Sequence, residues 1–247
     1  PFWLKFWLKC CRISGAVVHN HHSQMFLSGL STATLALITS LPWCLVAKQL
    51  PNIIHIMADD LGRDNLAWLN GNKTSTPNLD NFFTSGLFLS DFHTFKICAP
   101  SRASTMTGRY PFHVGFYGDH VAQHITNFST VATLLKKQGY STHAIGKWDV
   151  GYVVKETTPT YKGFDTFFGY YKACNNDLFY HSTPSCMKGS TIMDTDLSRN
   201  VGDHIGPATG ENGTYSTRAF SAEAVSIIRN HNQSSSPLYM YIAPQNV

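Results

Sequence analysis

Short apolar runs alternate with segments of helical period along residues 48–247, and turns marked by glycine and proline separate them. Residues 52–57, NIIHIM, form an isoleucine-rich run that predicts a buried strand, and its end delivers Asp59 and Asp60 into a loop. In TPNLDNFFTSG, Thr76 stands as N-cap, Pro77 at the first helical position and Gly86 as stop, which predicts a short helix. LFLSDF, residues 87–92, is a second strand candidate. A helix over 130–138 is stopped by Gly139 and followed by a strand over 141–145 that leads to Gly146 and Lys147. TRAFSAEAVSIIRN has the spacing of an amphipathic helix, and PLYMYIA reads as a final strand. Residues 155–212 are rich in glycine and polar side chains and read as long surface loops. The order strand, helix, strand, helix implies an α/β class with a largely parallel central sheet flanked by helices. Ligands of such sheets gather beyond the C-terminal ends of strands, where Asp59, Asp60 and Lys147 are expected.

Composition narrows the class. The chain has 247 residues, 43% of them hydrophobic and 14% charged, which is the balance of a globular protein. Lys5, Lys9 and Arg12 carry most of the formal +4; without them 16 basic residues face 15 acidic ones, and no basic patch argues for nucleic acid. Residues 1–24 read as an upstream extension and are set aside from the fold. Residues 25–47 resemble a secretory signal peptide with cleavage near Ala47, and Pro42 with the short apolar length argues against a stable membrane span. The mature part, 48–247, then keeps Cys98, Cys174 and Cys186, of which the last two, in a polar loop, are disulfide candidates. Asn72, Asn127, Asn212 and Asn232 head glycosylation sequons, which suits the same compartment.

Two stretches carry candidate chemistry. The adjacent carboxylates of Asp59 and Asp60 repel one another unless a cation lies between them, and hard divalent cations take such oxygens; the alternative is a solvated turn. Cys98 lies two residues before Pro100, so a helix over about 100–106, closed by Gly108, places it just before a helix N-terminus. Backbone N–H groups there favour an anion, and Arg102 can clamp a tetrahedral oxyanion. The alternative for Cys98 is a disulfide.

Cys98-Ala-Pro-Ser-Arg102, followed by Thr107-Gly-Arg109, resembles the signature of the sulfatase family. ADDLG resembles that family's first metal motif, and GKW with GFDTFFGYY is similar to its arylsulfatase B branch. The resemblance runs from Asn52 to the end of the chain and implies an alkaline-phosphatase-like sulfatase fold, here its N-terminal part. It implies that Cys98 is oxidised to formylglycine by a formylglycine-generating enzyme. One hydroxyl of the hydrated aldehyde would attack sulfur, and the other would collapse to the carbonyl and expel sulfate. It also implies a calcium ion on Asp59 and Asp60, orientation of the aldehyde by Arg102, and a sulfate contact from Lys147. The substrate it implies is an aryl sulfate or sulfated carbohydrate, such as N-acetylgalactosamine 4-sulfate of glycosaminoglycans, in a lysosomal or extracellular setting.

The chain departs from the pattern at Asp149, where that branch usually has histidine after Gly-Lys-Trp. An aspartate there is anionic at neutral pH and repels sulfate, so slowed turnover is expected. The second reading is a catalytically impaired relative that binds sulfated glycans. A phosphatase relative would carry serine or threonine as nucleophile. His55 reads as a packed strand residue, and His113, His120 and His124 as solvent-facing or cleft-wall residues; none has zinc spacing.

Overall fold

A computed structural model describes residues 50–116, 125, 127–172, 177–184 and 193–245. Eight strands among these residues are β1 (Ile53–Ile56), β2 (Ser141–Lys147), β3 (Thr166–Tyr170), β4 (Ser182–Pro184), β5 (Met193–Thr195), β6 (Leu197–Val201), β7 (His204–Pro207) and β8 (Leu238–Ala243). Five α-helices among the described residues are α1 (Ala67–Asn70), α2 (Pro77–Thr84), α3 (Cys98–Thr107), α4 (Val131–Lys137) and α5 (Ser216–Asn230). Six strands form one sheet in the order β1-β8-β2-β3-β6-β7, with β4 and β5 paired separately. β1, β8, β2 and β3 run parallel, while β6 and β7 add an antiparallel edge.

β8 explains the layering. Successive side chains of a strand point to opposite faces, so Tyr239 and Tyr241 join one core while Leu238 and Met240 join the other. The first core packs Ala99, Ala103 and Met106 of α3 and Ala132 of α4 against the sheet. The second packs Ala219, Phe220 and Ala224 of α5 against Ile145, Phe168 and Tyr170. A strand with both faces covered needs the near-continuous apolar run that LYMYIA supplies. Each large side chain buried this way, such as Phe220, contributes about 1.5–3 kcal/mol.

Several expectations held and others did not. The helix expected over 130–138 is Val131–Lys137, with the Thr130 hydroxyl accepting from the Thr133 backbone N–H. The strand expected over 141–145 continues through Gly146 and Lys147. Thr76 precedes α2 as the N-cap and Pro77 starts it, but the helix ends at Thr84, before Gly86. LFLSDF is not a strand: residues 87–89 are irregular and exposed Leu87 and Phe88 flank no sheet. β1 is an edge rather than a buried strand, with Ile54 and Ile56 exposed on alternate positions. Residues 155–212 are not all loop, because β3 is buried and pairs with β2 and β6. Polar composition hid β3, whose core side chains are aromatic and interleaved with glycine. The leader, Cys174, Cys186, His120 and His124 lie outside the described residues.

Candidate active site

The parallel register brings the ends of β1 and β2 to either side of β8. Backbone bonds from Met57 N–H to Ile242 O (2.9 Å) and from Asp59 N–H to Pro244 O (3.2 Å) continue the β1–β8 alignment past the strand end. Lys147 is the last residue of β2. Beside it, Gly146 adopts φ +95°, and a Cβ there would stand 2.1 Å from the Ala243 carbonyl oxygen. Across the next pair, a Cβ on Gly169 would stand 1.9 Å from the Gly146 oxygen. Only glycine allows these backbones their close approach.

α3 begins at Cys98 itself, with Ile97 as N-cap in extended conformation, and ends at Gly108 in the left-handed region. The helix thus starts two residues earlier than the proline suggested. Ser101 secures its entry by donating its hydroxyl to the carbonyls of Phe95 (2.9 Å) and Ile97 (2.8 Å). Arg102 follows Cys98 by four residues and therefore shares its helix face.

Arg102 is the hub of the cluster. It is only 1% exposed. Its guanidinium donates to Asp59 Oδ1 (2.9 Å), the Lys147 carbonyl (3.0 Å) and the Tyr241 hydroxyl (3.0 Å). Lys147 Nζ donates to Asp59 Oδ2 (2.9 Å) and lies 3.8 Å from Asp149 Oδ2. Burial would raise the Asp59 pKa, but Arg102 and Lys147 together hold it below the usual carboxylate range. Arg102 loses by burial and gains from Tyr241, Asp59 and Asp149, with a net rise.

The Cys98 thiol is half-buried. Burial and then the Asp149 charge push its pKa up, against the pull of Lys147. The environment therefore favours the thiol over the thiolate, opposite to a cysteine tuned as a nucleophile. Asp149 itself sits at φ +55°, a region sparsely used outside glycine but open to aspartate and asparagine.

The structure thus gathers Cys98, Arg102, Lys147, Asp59 and Asp149, leaving Asp60 exposed beside them, also at φ +55°. It adds Tyr241, which the sequence reading missed. The available signal was a tyrosine in a core strand, since a buried hydroxyl usually finds a partner. His113 faces solvent, and His55 packs edge-on to Tyr241 at 5.1 Å. Asn72, Asn127, Asn212 and Asn232 are all exposed.

Asp59 and Asp60 supply the hard oxygens that calcium takes, which fits a strand-end cation as part of its shell. Both Asp59 oxygens are engaged by Arg102 and Lys147. No group of three acidic, histidine or cysteine residues suited to a metal occurs among the described residues. A six- to eight-fold calcium shell would need further oxygens from outside this pair.

The sulfatase family model matches residues 51–247. Over 205 residues the chain is 32% identical to mouse (Mus musculus) arylsulfatase J, covering 80% of this chain and 32% of that protein. It is 29% identical over 226 residues to N-acetylgalactosamine-6-sulfatase of Rattus norvegicus, covering 80% and 39%. Bovine (Bos taurus) arylsulfatase A is 36% identical over 150 residues, covering 58% and 29%. The chain therefore spans about a third of the length of these relatives. Among solved structures, Ps i-CgsB in complex with k-i-k-neocarrahexaose superposes with a TM-score of 0.65 at 27% identity, over 79% of this chain and 45% of that one. The PsFucS1 sulfatase from Pseudoalteromonas sp. shares the fold, with a TM-score of 0.61 at 23% identity over 78% and 43%. With the strand-end cluster built on the same signature, the chain belongs to the sulfatase family.

Proposed function

We propose that the protein hydrolyses sulfate esters, with Cys98 converted to formylglycine as its nucleophile. The observation that carries this reading is the joining of Cys98, Asp149, Lys147, Asp59 and Arg102 at the ends of β1 and β2. Formylglycine supplies a hydroxyl to attack sulfur and an exit that releases sulfate without water attacking a crowded anion. A raised thiol pKa supports the need for conversion, because the unmodified cysteine is poorly disposed to attack.

The residues of the chain supply the rest. Arg102 holds Asp59 and the end of β2 in place, and Lys147 presents an ammonium to a sulfate oxygen. Asp59 and Asp60 would hold calcium, which offsets charge on the sulfate when bound. The substrate class is a sulfated carbohydrate or aryl sulfate; sulfated N-acetylgalactosamine is the sugar named for one relative. The exposed sequon asparagines support glycosylation in the secretory pathway, with a lysosomal or extracellular destination. No helix among the described residues is long and apolar enough to cross a membrane. Maturation would require a formylglycine-generating enzyme as partner.

Asp149 favours one second reading, a sulfated-glycan binder with impaired turnover, because its carboxylate, 3.8 Å from Lys147 Nζ, brings a negative charge to the site that opposes an anion. Full-length protein produced beside the converting enzyme separates the two. Release of sulfate from sulfated N-acetylgalactosamine is the expected result. A protein with converted Cys98 that binds the sugar yet releases nothing overturns the hydrolytic reading in favour of the binder.

A further inference from the structure

The geometry points to Tyr241 as a positioning residue for the proposed hydrolysis: its hydroxyl fixes the plane of the Arg102 guanidinium. This rests on the hydrolytic reading and deepens it, because it gives a task to a neutral core side chain that is only 1% exposed.

Three observations carry the inference. First, the hydroxyl has a fixed direction. Arginine can only donate, so the Tyr241 oxygen, 3.0 Å from Arg102 Nη1, accepts. Its own proton goes to Met57 Sδ, 3.5 Å away. Met57 is held in turn by its backbone bond to Ile242 O (2.9 Å). Second, the ring is held on both sides. In the register of the sheet Tyr241 stands opposite His55 of β1 and Ala144 of β2. The His55 ring meets it edge-on at 5.1 Å between centroids, and Phe164 lies 6.4 Å away in the same core. Third, the guanidinium is only partly spent. Nη1 donates to the Lys147 carbonyl and to Tyr241, and Nη2 donates to Asp59 Oδ1. Nε–H is buried and has no partner among the described residues.

These bonds sort the five N–H groups of the arginine. Both hydrogens of Nη1 are taken, one by the end of β2 and one by β8. With Nη2 held by Asp59, the planar group is anchored at three points and cannot rock, so Nε–H keeps one direction. A buried donor left unpaired is costly. Arg102 lies one turn of α3 beyond Cys98 on the same face, which leaves Nε–H as the donor open to an oxygen at position 98. Without the Tyr241 hydroxyl, one Nη1 hydrogen loses its acceptor. The group then turns about its two remaining anchors and carries Nε–H with it.

The test uses full-length protein with Cys98 converted, as wild type, Tyr241→Phe and Tyr239→Phe. Phenylalanine keeps the ring and removes only the hydroxyl. Tyr239 is the control, since it is equally buried in the same core and its hydroxyl meets His55 Nδ1 at 3.4 Å. Hydrolysis of an aryl sulfate is measured per mole of converted Cys98, well below the unfolding temperature of all three. The expected result for Tyr241→Phe is a kcat about ten-fold lower with KM within about two-fold, the scale of one hydrogen bond to a charged group. Tyr239→Phe is expected to keep the wild-type kcat. A merely structural tyrosine would lower the unfolding temperature and leave kcat alone. A wild-type kcat in Tyr241→Phe, or an equal fall in both variants, overturns the inference while leaving the hydrolytic reading intact.

Nitrogen NMR of labelled arginine, with Arg102→Lys to assign the signals, gives a reading that needs no turnover. The two Nη1 protons of Arg102 are expected as separate signals in wild type and merged by rotation about Cζ–Nη1 in Tyr241→Phe. Should Tyr241→Phe not fold, wild type alone decides: separate signals with a cross-peak to the Tyr241 ring uphold the inference, and merged signals overturn it. A wild type that releases no sulfate overturns the proposed function, and the NMR comparison then upholds or overturns the placing of Arg102 by Tyr241.

Discussion

Replacing Arg102 by leucine removes the bonds to Asp59, the Lys147 carbonyl and the Tyr241 hydroxyl in one step. Breaking a buried ion pair from one side costs about 3–5 kcal/mol. Asp59 keeps Lys147 and is 12% exposed, so the lower part of that range applies. The Lys147 carbonyl and the Tyr241 hydroxyl each lose a partner, adding about 1 kcal/mol apiece. The sum is about 5 kcal/mol, a large part of the roughly 5–15 kcal/mol that holds a domain folded. Arg102→Lys keeps the charge without the planar fork and is expected to cost about half as much. Urea unfolding of full-length protein, followed by tryptophan fluorescence, reports the difference through Trp148, which is 1% exposed. With a slope of about 2 kcal/mol per molar, the midpoint moves down by about 2.5 M for leucine and about 1.2 M for lysine. Equal midpoints for the three proteins would refute the hub role of Arg102.

The other expectations can be checked on the same protein. Burial lowers the pKa of His55 from 6.5 to about 4, so the folded state holds the ring neutral. Its contribution is complete above the unfolded value and is lost as pH falls from about 6.5 to about 4, by up to roughly 3 kcal/mol; His55→Phe should flatten that part of the stability curve, and an unchanged slope contradicts the account. Gly169→Ala forces a Cβ to 1.9 Å from the Gly146 oxygen, with an expected loss of roughly 3 kcal/mol or more; thermal unfolding at wild-type temperature would count against the close approach of β2 and β3. Asp149→His removes a negative charge beside Lys147 and Cys98, and aryl-sulfate turnover should rise about ten-fold or more; no gain shows that the aspartate does not limit turnover.

Much of the strand-end chemistry was legible because it depends on chain order. Apolar runs end where Asp59 and Lys147 begin, and a parallel sheet places such ends together. The contacts among them were not legible. That Arg102 spends its guanidinium on Asp59, Lys147 and Tyr241 follows from three segments meeting, 43, 45 and 139 residues apart. Asp149 could be singled out by its departure from the family pattern, but not its left-handed backbone or its carboxylate's place 3.8 Å from Lys147 Nζ. β3 escaped notice because Gly169 and polar neighbours dilute its aromatic core positions. LFLSDF had a strand-like pattern yet forms no ladder, since short apolar runs do not by themselves secure a pairing partner.

The mass of the Cys98 peptide from protein matured in a cell that carries the converting enzyme tests the central claim most directly. The account requires that the sulfur be gone and an aldehyde or its hydrate be present at that position. An intact thiol, or a disulfide to another cysteine, in the fully folded protein would contradict it.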